Sequence, residues 1–335
     1  MKPKFRKALA ALLAVICALC LGRTALQLVQ YRQGDETYAQ AEELAGLPDL
    51  SDLPVVDFTG GSGSVSSSAS ADGAGEAPEE VPVWQDPYAQ ALKDMDFSAL
   101  RQQNPDVLGW ILIPGTRVSY PVVQGTDNSY YLDHTWRGGK NSVGAIFMDY
   151  RNNGDLSDFN TIIYGHRMNN RSMFGTLSQY KSRSYWQAHP YVYLTDDSGT
   201  HRYEIFAAGE VSVDSDVYRL GLRSDSSRQS FLDSCLALSA LNTGVTPHTY
   251  DKVLTLSTCT GNGHATRWVV QAVCPGQAPE TPEIPQEEPT PQPDASQPEE
   301  SVQTPDVSQE SPAEPEQPQE PEPAPSQDIR PEETA

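Results

Sequence analysis

From Val107 onward the chain is a series of short apolar runs rich in β-branched and aromatic residues, each closed by Gly, Asn, Asp, Ser or Pro. Eight such runs stand out: Val107–Ile113, Arg117–Val123, Gly144–Met148, Thr161–Gly165, Tyr191–Thr195, Tyr203–Val213, Lys252–Thr258 and Arg267–Val273. This is strand patterning, and short strands at this density predict a mainly β fold closed into an eight-stranded barrel. Two stretches follow helical spacing instead. Asp86–Gln103 sets Tyr88, Leu92, Met95 and Leu100 near one face and stops at Asn104-Pro105, which predicts one or two N-terminal helices. Between the sixth and seventh runs, Ser226–Leu241 carries Phe231, Leu232, Cys235, Leu238 and Leu241 as an apolar stripe, which predicts an inserted helix.

The two ends read differently. Lys2, Lys4, Arg6 and Lys7 precede Ala8–Gly22, an uncharged and mainly apolar stretch of 15 residues. As a helix it spans only about 22 Å. It lengthens if Arg23 snorkels at the far interface while Ala25, Leu26, Leu28 and Val29 follow. Its size also suits a signal peptide, but no good small-x-small cleavage site follows, so an uncleaved anchor is the stronger reading. Cys17 and Cys20 inside it follow Ile16 and Leu19, not the small residue a lipoprotein cleavage site wants. The basic flank places the N-terminus in the cytoplasm and everything after Tyr31 outside.

Composition then divides the chain into 1–31 as basic end and anchor, 32–85 as flexible spacer, 86–274 as folded domain and 275–335 as disordered tail. In the spacer, Thr59–Ala77 is rich in Gly, Ser and Ala and spans about 25 Å as a coil. The tail holds 16 prolines, 16 acidic residues and one basic residue, too little apolar surface to offset its ordering entropy. It carries −15 of the formal charge of −22, leaving −7 elsewhere. No basic stripe for nucleic acid is present, and no motif implies a nucleotide, metal or other cofactor.

The chemistry concentrates near the end of the folded part. Thr255-Leu256-Ser257-Thr258-Cys259 is an apolar strand delivering a cysteine, and Arg267 opens the next apolar run eight residues later. The Asn262-Gly263 step between them predicts an antiparallel hairpin. A loop centred on Gly263 sets Cys259 opposite Arg267, with Cβ atoms roughly 4.5–5.5 Å apart; a tight turn on Asn262-Gly263 slips the pairing by one. A thiol nucleophile needs a base, because at neutral pH only a few per cent of a free thiol is ionised. Of six histidines, His166 alone ends a strand-like run, Thr161-Ile162-Ile163-Tyr164-Gly165-His166, where a ring is displayed. His134, His189, His201, His248 and His264 read as surface or packing residues. Cys235 reads as a small core residue, and Cys274 as an ordinary thiol.

A strand-borne T-L-x-T-C with a downstream arginine and an earlier strand-borne histidine resembles the sortases. Gly109-Trp110-Ile111, Tyr120-Pro121-Val122-Val123-Gln124, Asp127-Asn128, Tyr131-Leu132, Ala145-Ile146-Phe147-Met148-Asp149 and Met173-Phe174 are similar to class B, over about Asp86–Val273. The resemblance implies a sortase-type barrel with N-terminal helices and the helix between strands 6 and 7. It also implies a cysteine transpeptidase with His166, Cys259 and Arg267 as catalytic residues, Asn128, Leu132 and Ser257 as substrate-binding residues, and no cofactor. The implied partners are a sorting-signal peptide of secreted surface proteins and an amine of a lipid-linked peptidoglycan precursor or a pilin lysine, met at the membrane. A secreted cysteine protease and a non-catalytic cell-wall scaffold are the alternatives. In the L,D-transpeptidases arginine follows the cysteine almost at once, unlike the spacing here. Sortases usually stop soon after the last strand, so the long acidic tail is a departure.

Overall fold

The eight apolar runs become β1 (Val107–Leu112), β2 (Ser119–Val123), β3 (Ile146–Met148), β4 (Asn160–Tyr164), β5 (Tyr191–Asp196), β6 (Gly199–Ser212), β7 (Lys252–Cys259) and β8 (Thr266–Cys274). They close into a barrel in the order β1-β2-β3-β4-β7-β8-β6-β5, as their patterning predicts. Two seams are parallel, β2 with β3 and β4 with β7, and the others are antiparallel. The molecule is seen in a computed structural model that describes residues 3–50, 53, 86–261 and 265–276. Asn262-Gly263-His264, where the hairpin turn was expected, residues 51–85 apart from Leu53, which were read as part of the spacer, and the residues beyond Gly276, read as the tail, lie outside the described residues.

Closure leaves no strand edge for β1–β8, and their apolar side chains are buried, among them Trp110, Ile111, Val122, Ile163, Leu254 and Val270. A second apolar cluster lies outside the barrel wall under α5 (Asp225–Leu238), the helix inserted between β6 and β7. Ser224 caps α5 by accepting the Ser227 N–H, and Phe231, Leu232 and Cys235 pack against Phe206, Val217 and Val269. Cys235 is therefore a core residue, as its place on the stripe implies.

The N-terminal region holds α1 (Pro3–Leu44), α2 (Pro87–Leu92) and α3 (Ser98–Arg101). Asp86 caps α2 by accepting the N–H groups of Tyr88 and Ala89, and Pro87 sits at its start. Among the described residues, one helix is long and apolar enough to cross a membrane, Leu12–Leu44, with none of its apolar window buried. Here the structure corrects the sequence reading. The spacer was expected to start at residue 32, yet α1 runs on to Leu44 without a break, and Tyr38, Ala41 and Ala45 are buried against the barrel. Gly34, Tyr38, Ala41 and Ala45 recur at helical spacing, which is a docking face; the polar run Arg32-Gln33-Gly34-Asp35-Glu36 masks it. A further short helix, α4 (Arg183–Ala188), has no counterpart in the sequence reading.

Candidate active site

Cys259 is the last residue of β7, and Arg267 is the second of β8. The two are direct partners across the hairpin, Cys259 with Arg267, after Ser257 with Val269 and Thr258 with Trp268. The register is the one set by a loop centred on Gly263. Because β8 lies between β7 and β6, with Arg267 also opposite Val211, Arg267 is on an interior strand and not on an edge.

His166 arrives from the parallel seam. β4 runs alongside β7 with Tyr164 paired to Ser257, and the Gly165 N–H donates to the Ser257 carbonyl at 3.2 Å. Two residues further on, both chains present a side chain on the same face: His166 from one and Cys259 from the other. Gly165 makes the step possible. A Cβ there would sit 2.4 Å from Ile146 Cδ1 and 2.8 Å from the Phe174 ring.

The pair perturbs itself. The hydrogen bond to His166 pulls the Cys259 thiol below its ordinary range against the effect of burial, with the Arg267 and Arg167 charges helping. The same hydrogen bond raises His166 above the usual imidazole value, again against burial, and the Leu132 carbonyl adds to it. Both directions favour a thiolate beside an imidazolium. His166 Nε2 lies 2.6 Å from Leu132 O. A carbonyl only accepts, so Nε2 carries a hydrogen in either protonation state of the ring.

An open groove of about 400 Å³ leads to these side chains, and Asn128, Leu132 and Ser257 all line it. Their roles there differ. Asn128 has both ends of its amide engaged, donating to Asp149 Oδ2 at 3.0 Å and accepting the Tyr150 N–H at 3.1 Å. Those two bonds fix its orientation in the wall, and the amide keeps its second N–H and the second lone pair of Oδ1. Leu132 is 44% exposed and offers an apolar side chain to the groove while its carbonyl holds His166. Ser257 shares a hydrogen bond of 2.9 Å with the Tyr218 hydroxyl.

Sequence reasoning did not single out Tyr164, Tyr218 or Arg151, which also line the groove. The rings of Tyr164 and Tyr218 stack with centroids 6.5 Å apart. Arg151 forks onto Asp149 at 2.9 and 2.7 Å, and Tyr164 donates to the same carboxylate at 2.9 Å. Burial alone would raise Asp149, but those hydrogen bonds hold it below the usual carboxylate range. The only sequence signal for this network was Asp149, at the end of the β3 run.

Comparison with known proteins agrees with this geometry. The chain matches the Sortase domain family over residues 111–274. It is 33% identical over 163 residues to sortase B of Staphylococcus aureus, which covers 49% of this chain and 67% of that protein. The chain belongs to the sortase family. Sortase B of Listeria monocytogenes is 35% identical over 160 residues, 48% of this chain and 65% of its own. Among solved sortases, a Staphylococcus aureus sortase B–substrate complex superposes with a TM-score of 0.51 at 32% identity, over 54% of this chain and 85% of that one. Sortase B from B. anthracis gives 0.56 at 26% identity, over 75% and 100% respectively. The sortase relatives are thus of class B.

Proposed function

We propose that the protein is a membrane-anchored cysteine transpeptidase that cleaves a sorting-signal peptide and passes the acyl fragment to an amine. The observation that carries this is the convergence of Cys259, His166 and Arg267 on one open groove of about 400 Å³. Cys259 attacks a backbone carbonyl, and the sulfur–carbon bond forms as the carbonyl electrons move to oxygen. Arg267 faces that oxyanion. As it collapses the peptide C–N bond breaks, His166 gives its proton to the leaving amine, and a thioester remains. An incoming amine then attacks the thioester, loses a proton to His166, and expels the Cys259 thiolate.

In this reading residues 86–274 form the catalytic domain, α1 anchors it with the N-terminus cytoplasmic, and 275–335 is a solvated tail. The acceptor is an amine of a lipid-linked peptidoglycan precursor or a pilin lysine, and confinement at the membrane raises the frequency with which amine meets thioester ahead of water. His166, Cys259 and Arg267 act as the catalytic residues, with Leu132 and Ser257 as walls for the peptide.

The test is a peptide-library cleavage assay read by mass spectrometry with and without an added amine. Cleavage dependent on Cys259, with an amide product that grows with amine concentration, is expected. Hydrolysis that ignores the amine would make the protein a protease. A Cys259→Ala variant that keeps its role in cells would sink the catalytic reading.

A further inference from the structure

The C-terminal turns of α1 grip the segment that orients the active-site histidine, and they do so from two sides. On the first side, the buried Tyr38 hydroxyl donates to Gly144 O at 2.6 Å. Gly144, at φ +65°, is wedged against the histidine support: a Cβ there would lie 2.8 Å from Leu132 O, 2.8 Å from Tyr131 O and 2.9 Å from His166 Cδ2. The Leu132 carbonyl pressed by Gly144 is the one that accepts from His166 Nε2. On the second side, Tyr38 meets Tyr120 edge to face with centroids 5.1 Å apart. The Tyr120 hydroxyl accepts the Met173 N–H at 2.9 Å, and the next N–H, of Phe174, donates to His166 O at 3.0 Å.

Other contacts keep α1 seated there. Trp136, fully buried, donates from Nε1 to Thr37 O at 3.0 Å, and Asn141 Nδ2 donates to Gln30 O at 3.1 Å. Both Trp136 and Asn141 belong to the loop that joins Leu132 to Gly144. The helix therefore touches that loop along its length and ends its grip at the histidine.

We propose that α1 is a positioning element of the active site: Tyr38, through Gly144 and the Leu132 carbonyl, holds His166 in the orientation and tautomer that take the proton of Cys259. This rests on the catalytic reading above. It also makes the membrane-proximal helix part of the catalytic apparatus, so displacement of α1 is felt at the thiol. The charged groups that face Cys259 are His166, Arg267 and Arg167, with the Tyr218 phenol beside them. Of these, His166 alone is held through the contacts of α1 described above.

The experiment uses the full chain in detergent micelles, with iodoacetamide alkylation of Cys259 followed across pH by peptide-resolved mass spectrometry, beside peptide cleavage and thermal melting. Tyr38→Phe keeps the ring and removes only the hydroxyl. It is expected to move the alkylation midpoint up towards a free thiol and to lower kcat about 2- to 10-fold with KM unchanged, the range for one net hydrogen bond. Gly144→Ala, which pushes on both the carbonyl and the ring, is expected to cost about 10²-fold in kcat. Gln40→Ala removes a contact of the same helix with Arg137 at 2.8 Å that does not reach Gly144, and should leave the midpoint in place. A Tyr38→Phe protein that melts lower but keeps the wild-type midpoint and kcat overturns the proposal. A midpoint that shifts in a protein that cleaves no peptide supports the positioning and sinks the catalytic reading instead.

Discussion

Replacing His166 by Ala removes the hydrogen bond that most depresses the Cys259 thiol, leaving burial opposed only by Arg267 and Arg167. The sign follows from the directions. The lowered Cys259 value contributes stability present above the ordinary thiol range and lost as pH falls through the folded value. The raised His166 value contributes stability present below the ordinary imidazole range and lost as pH rises through the folded value. On the proposed function, wild-type kcat/KM should be bell-shaped, rising as the pair forms its thiolate and falling as the imidazolium loses its proton. In His166→Ala the rising limb of Cys259 alkylation moves to higher pH. Arg267→Lys should cost about 10²–10³ in kcat/KM, since a compact ammonium cannot reproduce a fork of donors at an oxyanion; a loss under threefold would place Arg267 outside the reaction. These three residues were legible because each stands in or at the end of a strand-like run, and the sortase resemblance joined them into one set. The Leu132 carbonyl was not, because a backbone oxygen has no residue signature. Asn128 was visible as a groove residue, but its anchoring by Asp149 and Tyr150 depends on a fold that no local pattern states.

The elements divide by how far their partners lie. β1–β8 and α5 were readable to within a few residues, since each strand is a short apolar run bounded by turn residues and α5 carries an apolar stripe at helical spacing. The docking half of α1 was not, because its buried residues are small or spaced among charges and find their partners about a hundred residues away, as Tyr38 does at Gly144. α4 is six residues long, too short for a periodic signal. α5 carries its weight through Phe231, fully buried and packed edge to face on Phe159 with centroids 5.9 Å apart. Phe231→Ala should cost about 3–5 kcal/mol, a fall of roughly 10 °C in Tm by calorimetry. Well below that transition the alkylation profile of Cys259 should be retained, because α5 packs on the barrel wall and not on the groove.

Across the whole molecule, the described fold ends at Gly276, whose N–H donates to Asp251 Oδ1 at 3.0 Å. Asp251 also accepts the His248 N–H at 2.7 Å, so this last bond closes the turn that leads into β7. A chain stopped after Gly276 should cleave peptide at the full-length rate if the acidic tail is only a spacer; a slower truncated protein would assign the tail a share in catalysis. The parallel seam between β4 and β7 has its own consequence. It brings together His166 and Cys259, 93 residues apart in the chain, and the hairpin arginine follows later still. Pairings of such long range are among the slowest to form. Until the last two strands have been inserted, Cys259 is an ordinary thiol with no base beside it. On the proposed function, a chain crossing a membrane unfolded would be chemically silent, and activation of the thiol would mark the completion of the barrel.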